Sequence, residues 1–256
     1  MFHSEDEWLT RVKMLDASDI IIFMRSVPST EGSSQYIEPS PESVAPNFLQ
    51  RVFTDKEFIK RLKRMTRIKD VESAFSVRRQ NNQPIFSRVV EGEENHDLIQ
   101  GSRVTLAAFE EVLYPSTPNP ASTPNLNFTW NPKYYRDLVF FIHSHPQSLD
   151  ESVNDVLRPS SVDLSTSENL WTFSPSLVGG ILVHDTKNRE IVLLLFQKDP
   201  DSKEPNYYQQ YDESQSLETL QKLMQKSGVL NTVLKLPTGS SELDPKELAK
   251  LSRFKV

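Results

Sequence analysis

Leu138-Val139-Phe140-Phe141-Ile142-His143-Ser144-His145-Pro146 is the stretch on which the reading of this chain turns. An unbroken apolar run of this length is the pattern of a strand covered on both faces, not of one with a face in water. The run ends in two histidines at i and i+2, which a strand projects to one side. Two imidazoles on one face at a strand end can share a cation. Histidine is a standard zinc ligand, and catalytic zinc takes three protein ligands and keeps a position open.

Outward from this strand the pattern is mixed. Upstream, Val71 to Val77 alternates, with Val71, Ser73, Phe75 and Val77 on one face and Glu72, Ala74 and Ser76 on the other. Asn81-Asn82-Gln83-Pro84 reads as a turn into a partner strand, Ile85 to Val90, and Val104 to Ala108 is a further strand candidate. Five prolines between Pro115 and Pro132 require a loop. Downstream, Gly180 to His184 and Ile191 to Gln197 read as two strands joined at Asp185-Thr186-Lys187-Asn188.

Helical signals flank these strands. Thr54-Asp55-Lys56-Glu57 resembles a capping box, with Phe58, Leu62 and Met65 as the buried stripe. The rest of that helix is basic (Lys56, Lys60, Arg61, Lys63, Arg64, Arg67) and reads as a solvated outer face. Leu217, Leu220, Leu223 and Met224 form a stripe that stops at Gly228, and Asp244-Pro245 opens a last helix. Residues 1–46 read as a helix capped by Ser4, a short apolar run at Ile20–Met24 and a Ser/Pro/Glu-rich linker. The expected fold class is α/β. The expected division is an appendage at 1–46, a main domain at 47–200 and C-terminal loop and helices at 201–256.

After His145 comes Arg158-Pro159-Ser160-Ser161-Val162-Asp163. Ser160 can cap a helix there, with Asp163 in its first turn, which places a hydroxyl and a carboxylate rigidly at a helix start. Together, His143-Ser144-His145-Pro146 and Pro159-Ser160-Ser161-Val162-Asp163 resemble the signature of the MPN/JAMM (JAB-domain) zinc metalloproteases: His-x-His-Pro, a spacer, Ser-x-x-Asp, and a glutamate on an earlier strand. The resemblance runs from the helix near Thr54 to the strand ending near Gln197.

What it implies is a curved mixed sheet flanked by helices, with Zn2+ on His143, His145 and Asp163. Glu72 would be the general base and Ser160 the donor to the oxyanion. It also implies a protein or peptide substrate, often the C-terminus of ubiquitin or a ubiquitin-like protein. Glu72 is preferred over Glu91, Glu110 and Glu111 because it alone stands on the first core strand, directly after a helix. The chain departs from the family in two ways. Its spacer is longer, so Ser148 to Val156 reads as an insertion, and the segment Gln147 to Leu157 is expected to gate the site. Glycines that often follow the family's glutamate are replaced by Ser73-Ala74-Phe75-Ser76. A rival pair, Ser152 and Asp155, also fits Ser-x-x-Asp, but Pro159 and the helix after it favour Ser160 and Asp163. His3, His96 and His184 read as surface residues, and Trp171 and Phe173 as core or loop anchors.

Composition narrows the classes. With 29 Lys+Arg against 35 Asp+Glu, the net charge of −6 argues against a nucleic-acid coat and against binding to anionic membranes. There is no cysteine, so disulfides and thiolate metal sites are excluded. No apolar run approaches the roughly 20 residues of a membrane span. The first residues lack a signal peptide's pattern, so a cytoplasmic protein is expected. Two other classes compete with the enzyme: a non-catalytic MPN-type scaffold, disfavoured by the full ligand set, and a DNA-repair-associated member of the wider superfamily, disfavoured by the charge.

Overall fold

A computed structural model of the chain describes residues 47–68, 71–92, 137–147, 151–202, 212 and 214–256. Its centre is a mixed sheet. The strands are β1 (Ser73–Gln80), β2 (Gln83–Phe86), β3 (Val90–Glu91), β4 (Leu138–Ser144), β5 (Gly179–Asp185), β6 (Glu190–Lys198) and β7 (Val229–Pro237). They run in the order β2-β1-β4-β5-β6-β7, with β3 also paired to β1, and the sheet does not close. Every pairing is antiparallel except β4 with β5. A parallel neighbour needs a crossover. The chain makes it through α3 (Val153–Val156) and α4 (Ser161–Phe173). The site grows from this crossover.

Helices cover both faces, which is why β4 is buried along its whole length. On one face, α1 (Phe48–Thr54), α2 (Lys56–Met65) and the last turns of the chain close over Phe53, Phe58, Phe75, Phe140 and Leu193. On the other, α4 and α5 (Leu217–Lys226) close over Phe141, Leu164, Trp171, Leu194 and Phe196. The Trp171 indole N–H donates to the Leu177 carbonyl at 2.9 Å, so this residue is a core anchor, as expected. A Cβ on Gly179 would lie 2.7 Å from the Phe196 ring and 2.9 Å from Phe141, so only glycine lets these rings meet β5. No helix among the described residues is long and apolar enough to cross a membrane.

Several local readings shift. β1 starts at Ser73, two residues later than the alternation predicts, and Ser73 to Val77 is buried on both faces because helices cover the sheet on both sides. The turn after it is shorter than the sequence predicts: Asn81 (φ 49°) and Asn82 (φ 61°) are both left-handed, the backbone of a two-residue hairpin turn, and Gln83 and Pro84 already belong to β2. Its partner strand ends at Phe86, and Val90–Glu91 pairs separately with β1. The capping residue of α2 is Asp55, which accepts from the Glu57 N–H at 2.7 Å; Thr54 instead ends α1.

Helix α1 is an addition to the sequence reading. Asn47 and Gln50 form its capping box, and the Asn47 side chain also donates to the Phe254 carbonyl at 2.5 Å. The C-terminal segment, expected as loop and helices, contains β7, which pairs with β6 from Val229 to Pro237 and extends the sheet. The reading of residues 1–46, Val104 to Ala108, the prolines at 115–132, His96, Glu110 and Glu111 lies outside the described residues.

Candidate metal centre

Strand β4 delivers His143 on its α4-facing side, and His145 follows just beyond the strand, its N–H donating to the Leu182 carbonyl of β5 at 3.0 Å. The two Nε2 atoms lie 3.0 Å apart. Asp163 arrives from the first turn of α4, with Oδ1 3.1 Å from His143 Nε2 and Oδ2 3.4 Å from His145 Nε2. One ligand atom from each of the three residues falls within a span of 4.8 Å. His143 and Asp163 are buried, and His145 is half-buried at the rim.

The orientation of each group has a local cause. His145 Nδ1 lies 2.7 Å from the Val156 carbonyl, which can only accept, so Nδ1 carries the proton and donates. Nε2 is thereby left facing the other two groups. Asp163 is held by a reciprocal cap: its N–H donates to Ser160 Oγ at 3.1 Å, and its Oδ2 accepts from the Ser160 N–H at 2.7 Å and hydroxyl at 2.8 Å. A cap that helps start the helix thus also aims the carboxylate. The Ser160 hydroxyl proton is engaged with Asp163 in this arrangement.

The fit to a cation rests on these contacts. Two imidazole nitrogens and a carboxylate converge on one point in a buried site. Like-disposed lone pairs at that distance are stable only with a proton or a cation among them. Without a cation, His145 takes the proton. Burial opposes its charge, but the hydrogen bond and charge of Asp163, with the Glu72 charge and the Val156 carbonyl, push it up to about 9. Burial likewise opposes the Asp163 charge, yet the two histidines hold its carboxyl well below the usual carboxylate range. The donor set, two imidazoles and one carboxylate, suits zinc and also other divalent first-row metals.

Glu72 sits immediately before β1. The β1–β4 register pairs Ala74 with His143, so two residues further back Glu72 falls level with His145 on the same face. Its Oε2 is buried and has no hydrogen-bond partner among the described residues. Burial raises its pKa, only partly offset by His143 and His145, while the Asp163 charge adds to the rise. The start of β1 is tied to β4 by a buried serine pair: Ser144 Oγ accepts from the Ser73 N–H at 2.9 Å and lies 2.9 Å from Ser73 Oγ.

The rival pair is elsewhere. Ser152 caps the short α3, and its hydroxyl donates to Asp155 Oδ2 at 2.6 Å. The Asp155 carboxylate is exposed and pairs with Arg158 at 3.5 Å. Val156 and Leu157, at the end of the segment expected to gate the site, are part of the fold itself. Leu157 is fully buried, and Val156 supplies the carbonyl that orients His145. No side-chain pattern signals a backbone carbonyl, so sequence reasoning had no means of finding this contact. His184 lies on β5, across from Ile191 and outside the metal group.

No family model and no curated protein matches this chain. The reading of the site therefore stands on its residues and their geometry.

Proposed function

We propose that this chain is a zinc-dependent metallopeptidase of the JAMM type, built on a JAB/MPN-like sheet. The observation that carries the reading is the convergence of His143, His145 and Asp163 with Glu72 poised beside them. His143 Nε2, His145 Nε2 and Asp163 would hold the ion, the three protein ligands that a catalytic zinc takes. When bound, zinc supplies Lewis acidity toward water and a carbonyl oxygen.

The remaining steps fall to the chain's own groups. Glu72 accepts a proton from the attacking water and returns it to the leaving amine. A carboxyl raised above its ordinary value suits both halves of that shuttle. The Val156 carbonyl keeps His145 in the tautomer that presents Nε2. Ser160 holds Asp163 in place. To serve the oxyanion, its hydroxyl must turn from Asp163 Oδ2 toward the substrate. The bond cleaved is a peptide or isopeptide bond, with the C-terminal tail of a ubiquitin-like protein as the substrate class the resemblance implies.

The test is metal content together with turnover. Purified protein should carry about one zinc per chain and cleave a member of a panel of peptides and ubiquitin-like fusions. Glu72→Gln should keep the metal and lose about 10²–10⁴-fold in kcat. Unchanged hydrolysis by that variant, or no zinc in the wild type, would refute the proposal.

A further inference from the structure

On the opposite face of the sheet, α2 borders a groove of about 570 Å³, none of whose lining residues belongs to the metal group. Among the described residues its walls carry seven Lys and Arg side chains against one carboxylate, Glu57. Lys56, Lys60, Lys63, Arg64 and Arg67 recur at i, i+4, i+7, i+8 and i+11, one face of α2 and the turn after it, and Arg88 adds to them from the β2–β3 link. The stripe is about 16 Å long at ~1.5 Å per residue. Ile59 and Val89, both buried, also line it.

The arginines divide into two kinds. Arg61 is built into the wall: its Nε donates to the Ser87 carbonyl at 2.8 Å and its guanidinium lies 5.0 Å from the centre of the Phe86 ring. Arg64 is exposed, and its ion pair with Glu91 at 3.4 Å is exposed on both sides. Such a pair is worth little in water, so a guest carboxylate can replace Glu91 at small cost. The net charge of the whole chain is −6. Attraction of an anion to this groove is therefore local, and salt screens it over about 10 Å.

We infer that this groove docks an extended, acidic peptide segment. Its length matches about five residues in extended conformation at ~3.3 Å each. No aromatic ring lines it among the described residues, and single-stranded nucleic acid binds through stacking on such rings. A duplex is far wider than a single extended peptide strand and would meet the stripe only from outside the groove. Carboxylates on an extended chain can reach the stripe from inside. The inference is independent of turnover at the metal group, because the two surfaces lie on different faces of the sheet.

The experiment is fluorescence anisotropy of the full chain with a fluorescein-labelled run of about five glutamates, matched to the stripe, at low salt. Binding should saturate and weaken as salt rises. The triple variant Lys60→Gln/Lys63→Gln/Arg67→Gln should bind about tenfold or more weakly, the product of three lost exposed pairs. His143→Ala should bind as the wild type does. Should the triple variant fail to fold by circular dichroism, Lys56→Gln/Lys60→Gln, at exposed positions, takes its place with the same expected direction. No binding by the wild type, or full binding by a folded variant, overturns the inference. Displacement of the labelled peptide by duplex DNA at lower concentration than by unlabelled peptide would also overturn it, and would assign the groove to nucleic acid.

Discussion

Replacing Asp163 by asparagine tests the metal centre through its coupling to protons. In the metal-free protein His145 is pushed up to about 9, chiefly by Asp163 acting against burial. A bound cation needs the His145 Nε2 lone pair, so below pH 9 it must displace a proton. At pH 7, two units below that value, the displacement costs about 3 kcal/mol, or roughly a hundredfold in affinity. Wild-type zinc affinity should therefore climb about tenfold per pH unit between 6.5 and 9, with one proton released per ion.

Asp163→Asn removes both the ligand and the partner that raises His145. Burial then pulls the imidazole down, against only Glu72 and the Val156 carbonyl. The variant should bind zinc more weakly at every pH, by more than the roughly 10–100-fold that losing an outer-sphere partner costs. Its dependence on pH should flatten over the same window. The assay is competition with a chromophoric chelator across that window, with proton release read by calorimetry in buffers of different ionisation enthalpy. A wild-type affinity that is flat from pH 7 to 9, or an asparagine variant with wild-type affinity, would refute the assignment of Asp163 and the physical account of His145.

Asp155→Asn should leave zinc affinity unchanged by the same competition assay, because its carboxylate is exposed beside Arg158. In the metal-free protein the raised His145 value contributes stability that is complete below pH 6.5 and is lost as pH rises through about 9, whereas the lowered Asp163 value contributes stability present above pH 3.8 and lost in acid; thermal unfolding of metal-free protein should show both limbs, and excess zinc should remove the alkaline one. Ser144→Ala leaves the buried Ser73 N–H without its acceptor and should cost about 1–3 kcal/mol in denaturant unfolding, with zinc still bound. Gly179→Ala sets a Cβ against Phe196 and Phe141 and should destabilise by about 1–3 kcal/mol without altering metal affinity per folded molecule.

The parts of this protein legible in its residues are those set by short-range periodicity. The apolar run of β4 specifies a buried strand, and the strand period of two puts His143 and His145 on one side whatever lies around them. Ser160 and Asp163, three apart, form their cap from local backbone geometry alone. The stripe of Phe58, Leu62 and Met65 makes α2 in the same way.

Tertiary structure decided which of these pieces meet. Ser152 with Asp155 and Ser160 with Asp163 both form caps; the crossover from β4 to β5 brings only the second under the histidines. Glu72 reaches the site through the β1–β4 register, a pairing across some seventy residues that no local pattern encodes. Val156 contributes a carbonyl, a group every residue has, so only its position gives it meaning. The basic face of α2 reads as solvated in one dimension and becomes a groove once Arg88 and Val89 stand opposite it. β7 is visible as a strand only when β6 offers it an edge, because its burial depends on that pairing and on the helices packed around it. Side-chain period is a property of a few adjacent dihedral angles, whereas register and convergence depend on which distant surfaces bury each other best.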